Sequence, residues 1–178
     1  MSEASAADGA LVPFAPDEIA ELAPEETRQL ILFQACGEEF ALPVDSVREV
    51  QPLPPLTRVP TAPAEILGIA NLRGHILTVF AVGPCLGLPA ETHPATHVIV
   101  LDLHDAELTL GLAVQQIGEV RRVPLSALEA PPPQDGAPSA LEAIFEADGQ
   151  VVGLLDPLRL FARFLPEWGI APDRRPAG

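Results

Sequence analysis

Apolar residues recur along most of this chain in short runs, and proline and glycine separate the runs. Strand-like stretches fall at Leu30–Phe33, Glu39–Leu42, His75–Phe80, Val98–Leu103, Leu108–Val114, Glu119–Val123 and Val151–Leu155. Helical spacing is confined to three places. Asp17 to Leu22 forms a short helical pattern that Pro24 would stop, and Ile66, Leu67 and Ala70 carry helical spacing within Pro63 to Asn71, behind a proline at the first turn. Leu158 to Leu165 follows Asp156-Pro157 as a terminal helix. Strands this short, cut by Pro and Gly turns, suit small closed barrels, which hide their edges better than an open sheet. The pattern therefore predicts a mainly β protein with short connecting and C-terminal helices.

The pattern also repeats. Phe40, Leu42, Val44, Val47, Glu49 and Val50 are echoed seventy positions later by Leu110, Leu112, Val114, Ile117, Glu119 and Val120. A second echo follows in the same order, with Gly74 to Ala81 reading against Gly149 to Asp156. Agreement in spacing and order as well as residue type predicts tandem duplicated subdomains. Each half has one proline-rich crossing, at Pro52–Pro63 and at Pro131–Pro138. Strands could be exchanged between the halves.

Composition narrows the class. At 178 residues the chain can bury roughly 70% of its unfolded surface, so no disulfide or metal staple is required. It is 48% hydrophobic with mean hydropathy +0.26, yet its longest apolar runs fall far short of the ~20 residues that span a bilayer. Met1 to Asp8 is small and acidic rather than a basic start to an apolar export signal, which predicts a cytoplasmic protein. Cys36 and Cys85 read as reduced core residues. The net charge is −15 and all ten basic side chains are arginine, so a nucleic-acid backbone would be repelled. Without lysine there is no P-loop lysine, no Schiff-base lysine and no kinase strand lysine.

Catalytic arrangements fare poorly. His93 and His97 stand four apart, but Pro94 prevents a shared helix face of the kind a zinc motif uses. No Gly-x-Ser-x-Gly elbow is present, and the glycines form no phosphate-cradling fingerprint. Asp102 and Asp156 end strand-like runs, where turn formation is the ordinary use of Asp. The polar group that core packing does not ask for is Arg48, Glu49, Asn71 and Arg73. Asn71 and Gly74 serve the turn that enters a strand, whereas Arg73 need not and is a candidate anchor for a partner. A solvated surface ion pair, worth ~0–1 kcal/mol, is the competing reading.

These residues resemble the CheW-like coupling proteins of bacterial chemosensory systems. The resemblance spans about Gln29 to Phe164 and is carried by Glu39 to Val50, the Pro-rich stretch through Val59-Pro60, Ile66-Leu67-Gly68-Ile69-Ala70-Asn71-Leu72-Arg73-Gly74, and Leu154-Leu155-Asp156 with Leu158 and Leu160. It implies two intertwined SH3-like five-stranded β-barrels, approximately residues 29–90 and 95–155, with a C-terminal helix over 157–164. Residues 1–28 would form an acidic Ala- and Pro-rich leader and 165–178 a tail.

The resemblance implies a non-catalytic adaptor, without cofactor or metal, that joins the cytoplasmic hairpin of a chemoreceptor to the regulatory domain of a histidine autokinase. It would work at membrane-associated receptor arrays without inserting into the membrane. The family's receptor-contact positions correspond to Val47, Glu49 and Arg73, with Asn71 and Gly74 supporting the turn. The chain departs from the family where Thr78-Val79-Phe80-Ala81-Val82-Gly83 replaces a phrase that usually ends in Asp-Leu-Arg, and where Gln115 replaces a usual Asp. Thr78, Ala81, Gly83 and Gln115 are thus expected to alter partner choice. The alternatives are a module binding kinase or receptor without coupling them, a scaffold for an unrelated partner, and a hydrolase using Asp102, Asp156 or His104.

Overall fold

The computed structural model describes residues 25–89, 93–103, 109–133, 140–164 and 166. The leader helix expected at 17–22, His104 and almost all of the 165–178 tail lie outside these residues. Among the described residues ten strands run in order: β1 (Thr27–Ala35), β2 (Glu38–Pro43), β3 (Val47–Pro52), β4 (Ile66–Leu72), β5 (His75–Ala81), β6 (His97–Leu101), β7 (Thr109–Val114), β8 (Gln116–Pro124), β9 (Leu141–Ala147) and β10 (Gln150–Leu155). Single-turn helices follow β5 and β10, α1 (Val82–Cys85) and α2 (Pro157–Leu160).

The strands form two five-stranded sheets, ordered β8-β1-β2-β10-β9 and β3-β6-β7-β5-β4. Exchanging the first five strands for the last five converts one order into the other. The equivalence extends to single residues. Phe40 pairs with Gly153 in the parallel β2–β10 ladder, and their counterparts Leu110 and Thr78 pair in the parallel β7–β5 ladder. The isolated bridges match as well, Thr57 with Ile69 and Glu129 with Ile144. Each bridge ties the chain leaving one edge strand to the opposite edge strand, curling the sheet toward a closed barrel. Each sheet takes two strands from one half of the sequence and three from the other, so the two units are intertwined.

Burial explains the near-continuous apolar strands. In β1, Leu30 and Leu32 pack inside one sheet with Ala41, Phe145, Val152 and Leu154, while Ile31, Phe33 and Ala35 face a second core shared by both sheets. The shared core is the largest and also holds Phe80, Ile99, Leu112, Leu155 and Phe161, with Cys36 and Cys85 packed against it. Leu77, Val79, Val98 and Val100 fill the interior of the other sheet. Strands covered on both faces lose the apolar–polar alternation of a half-exposed sheet.

Two sequence expectations change. The helix expected over Pro63–Asn71 is strand β4. A register shift between Ile66 and Gly68 inserts Leu67 as an extra residue, which breaks the period-two pattern and leaves a spacing that imitates a helix. Gly68 is needed there, because a Cβ would lie 2.7 Å from the Thr57 carbonyl oxygen. The C-terminal helix expected over 157–164 stops at Leu160, and the chain continues as turns to Phe164 through Ala162 N–H to Arg159 O (3.2 Å) and Phe164 N–H to Phe161 O (2.8 Å).

Candidate functional site

The local geometry of the polar group begins with a β-bulge. Val47 pairs with Leu101 and Glu49 with Val100, so Arg48 is the extra residue of β3. A regular strand sends neighbouring side chains to opposite faces, but a bulge re-aims them, and Arg48 and Glu49 line one shallow depression. The β4–β5 hairpin supplies the other wall. Its two-residue turn is Arg73-Gly74, with φ +52° and +88°, the left-handed pair that matches strand twist. Asn71 Oδ1 accepts the Gly74 N–H at 2.8 Å and fixes the turn.

Arg73 therefore projects at a fixed place beside β3. Its Nη1 lies 3.3 Å from Glu49 Oε2, with the Arg73 side chain 78% exposed and Glu49 26% exposed. Leu72, His75, Val100 and Thr109 complete the lining, and half-buried Val47 stands one residue before the bulge. The structure thus brings Glu49 together with Arg73, which sits on a turn fixed by Asn71 and Gly74, while Val47 packs against the shared core beside them. An exposed pair of this kind adds ~0–1 kcal/mol to stability.

The second repeat holds a charged counterpart. Glu119 is the equivalent of Glu49, and the β9–β10 turn places Asp148 where Arg73 stands. Arg121 donates from Nε to Glu119 Oε1 at 2.8 Å and from Nη2 to Asp148 Oδ2 at 2.7 Å. Hydrogen bonds to Asp148, then to Glu119, hold the Arg121 proton above its ordinary affinity.

This fold carries a family assignment. The CheW-like domain matches residues 29–164. The chain belongs to the CheW-like domain family. Similar curated proteins include the chemotaxis protein CheW of Rhizobium meliloti (strain 1021), 28% identical over 72% of this chain and 84% of the relative. The chemotaxis protein CheW of Bacillus subtilis (strain 168) is also 28% identical, over 72% of this chain and 83% of its own length. Among solved structures, the scaffolding protein TtCheW from Thermoanaerobacter tengcongensis superposes with TM-score 0.67 at 24% identity, over 78% of this chain and 90% of that one.

CheW-like proteins are non-catalytic scaffolds, and this chain is not an enzyme. The carboxylate of Asp156 is committed structurally, accepting the Leu158 and Arg159 N–H groups at 2.9 and 3.2 Å as the cap of α2. Among the described residues no group of three or more His, Cys, Asp or Glu could hold a metal ion. Nor is any helix among them long and apolar enough to cross a membrane.

The departures from the CheW-like pattern sit elsewhere than the depression. Ala81 is buried at the start of α1, where its counterpart Asp156 caps α2, so the missing Asp is a missing helix cap. Gly83 is packed so closely that a Cβ would meet Cys36 Sγ and the Pro89 carbonyl oxygen at 2.7 Å. Arginine does not fit there. Thr78 lies within the sheet between Ile69 and Leu110. Gln115 ties segments together, with Oε1 accepting the Gly37 N–H and Nε2 donating to the His93 carbonyl, both at 3.4 Å. Ala81 and Gly83 thus act on packing, while Thr78 and Gln115 are half-buried. Residue type places Arg48 in the polar group with Glu49, Asn71 and Arg73, but the bulge that turns it into the depression follows from the pairing of β3 with β6, which the sequence of β3 alone does not carry.

Proposed function

We propose that this chain is a cytoplasmic chemosensory adaptor that couples the cytoplasmic hairpin of a chemoreceptor to the regulatory domain of a histidine autokinase, at membrane-associated receptor arrays. The observation that carries the reading is the convergence of Arg48 and Glu49 from the β3 bulge with Arg73 from the β4–β5 turn on one depression, where Glu49 and Arg73 stand at positions that match the family's receptor-contact motif and half-buried Val47, the third such position, packs against the shared core just before the bulge. An oriented acid–base pair beside the apolar lining of Leu72 and Val100 suits a helical hairpin tip.

A second contact is supported by exposed apolar residues at equivalent places in the two repeats. Ile76 on β5 is 70% exposed and Val151 on β10 is 64% exposed, each two residues past the glycine of its hairpin turn. Exposed residues of this size at matching positions suit a partner built on a related β fold, as the kinase regulatory domain is in the resemblance. Titration of a purified receptor hairpin tests the receptor contact. Glu49→Ala and Arg73→Ala should each weaken it while leaving kinase-domain binding unchanged, and equal hairpin affinity in both variants would refute the assignment.

A further inference from the structure

The two repeats differ in how they use charge at the same position. In the second repeat two acids, Glu119 and Asp148, surround one cation, Arg121, which bonds to both. The residue equivalent to Arg48 is Gly118, packed against Leu32 so that even a Cβ would come within 3.1 Å. That cluster satisfies itself and leaves no cation to offer.

In the first repeat the ratio is reversed. Arg48, Arg73 and His75 line the depression with one acid, Glu49, which is already paired to Arg73. Arg48 is exposed and forms no ion pair among the described residues. Uncompensated arginine is notable on a chain of net charge −15 with only ten basic residues. An acidic partner approaching elsewhere meets a repulsive surface, so a local cationic site selects both the partner's sign and its orientation. Arginine also suits a carboxylate because its planar fork can donate two parallel hydrogen bonds.

We propose that Arg48 is a specificity-determining residue of the partner site, and that it pairs with a carboxylate on the receptor hairpin. This inference rests on the receptor reading above and gives the contact its chemistry: the hairpin presents an acidic residue to Arg48 while its apolar face packs toward Leu72. Arg73 and Glu49 position the contact, and Arg48 reads the charge.

The test uses the full-length chain and a purified receptor cytoplasmic hairpin, with affinity measured at low and moderate salt. Arg48→Gln should weaken binding and flatten its salt dependence. Arg48→Glu should weaken it by about tenfold or more, and one Glu→Lys or Asp→Lys variant of the hairpin should recover part of that loss. Because Arg48 is exposed, both variants should keep the unfolding midpoint of the unchanged chain. If both bind as tightly as the unchanged chain while Arg73→Ala does not, the receptor reading survives and the role of Arg48 is overturned. It is also overturned if no acid-to-lysine hairpin variant recovers any of the loss. If the unchanged chain binds no hairpin, both readings fall.

Discussion

Arg73 and Asp148 occupy the same turn position in the two repeats, share a backbone φ of +52°, and carry opposite charge. Asp tolerates the left-handed region because its short side chain can bond locally, whereas Arg is held there at a cost. The turn at Arg73 therefore keeps a residue that the fold alone would not choose. Arg73→Asn should raise stability by about 0.5–1 kcal/mol, measured by urea unfolding, and should weaken receptor-hairpin binding in the same preparation. A less stable Arg73→Asn chain would mean that the ion pair to Glu49 outweighs the turn.

Gly68→Ala should destabilise the fold by about 1–3 kcal/mol, because the new methyl would meet the Thr57 carbonyl oxygen at 2.7 Å. That carbonyl accepts the Ile69 N–H at 2.9 Å in the bridge that curls the sheet. The denaturation midpoint gives the magnitude. Faster amide exchange at Ile69 would locate the damage.

The shared core makes the two halves of the sequence depend on one another. Phe80 meets Phe161 edge-on with ring centroids 4.8 Å apart and Phe164 at 5.2 Å, joining β5 to the segment after α2. Phe161→Ala should cost about 3–5 kcal/mol. Fragments 25–89 and 93–164, expressed separately, should show no cooperative thermal transition, since each leaves both sheets incomplete.

Cys85 should behave as an inert core thiol. Burial, with the Glu65 carboxylate adding, pushes its pKa from 9.0 to about 12. Iodoacetamide at pH 8 should modify it slowly in the folded chain and readily in urea. The raised value also contributes stability that is fully present below pH 9 and is lost as pH rises from about 9 toward 12. Over that window the unfolding midpoint should fall more for the unchanged chain than for Cys85→Ala.

Much of this architecture is legible in the sequence because duplication leaves a register. The echo that aligns Phe40 with Leu110 also aligns their partners Gly153 and Thr78, so two parallel ladders could be placed by one repeat. The β4 strand was not legible, since the bulge at Leu67 and the close-packed Gly68 produce helical spacing without a helix. At the site, Asn71 and Gly74 could be read from residue type because the turn needs them, and Glu49 and Arg73 stood out because neither the turn nor the core asks for them. What Ala81 and Gly83 do was hidden. A lost helix cap and a glycine pressed against Cys36 are properties of packing, and the letters alone suggested a partner surface.

In the proposed adaptor one chain holds two partners through separate surfaces, with the first-repeat depression serving the receptor. The most direct measurement is a three-component titration by sedimentation velocity, using this chain, a receptor hairpin and a kinase regulatory domain, repeated with Arg73→Ala. The unchanged chain should give a ternary complex, and Arg73→Ala a binary complex that retains the kinase domain and loses the hairpin. A chain that binds the two partners only in competition, or an Arg73→Ala variant that still forms the ternary complex at unchanged affinity, would contradict it.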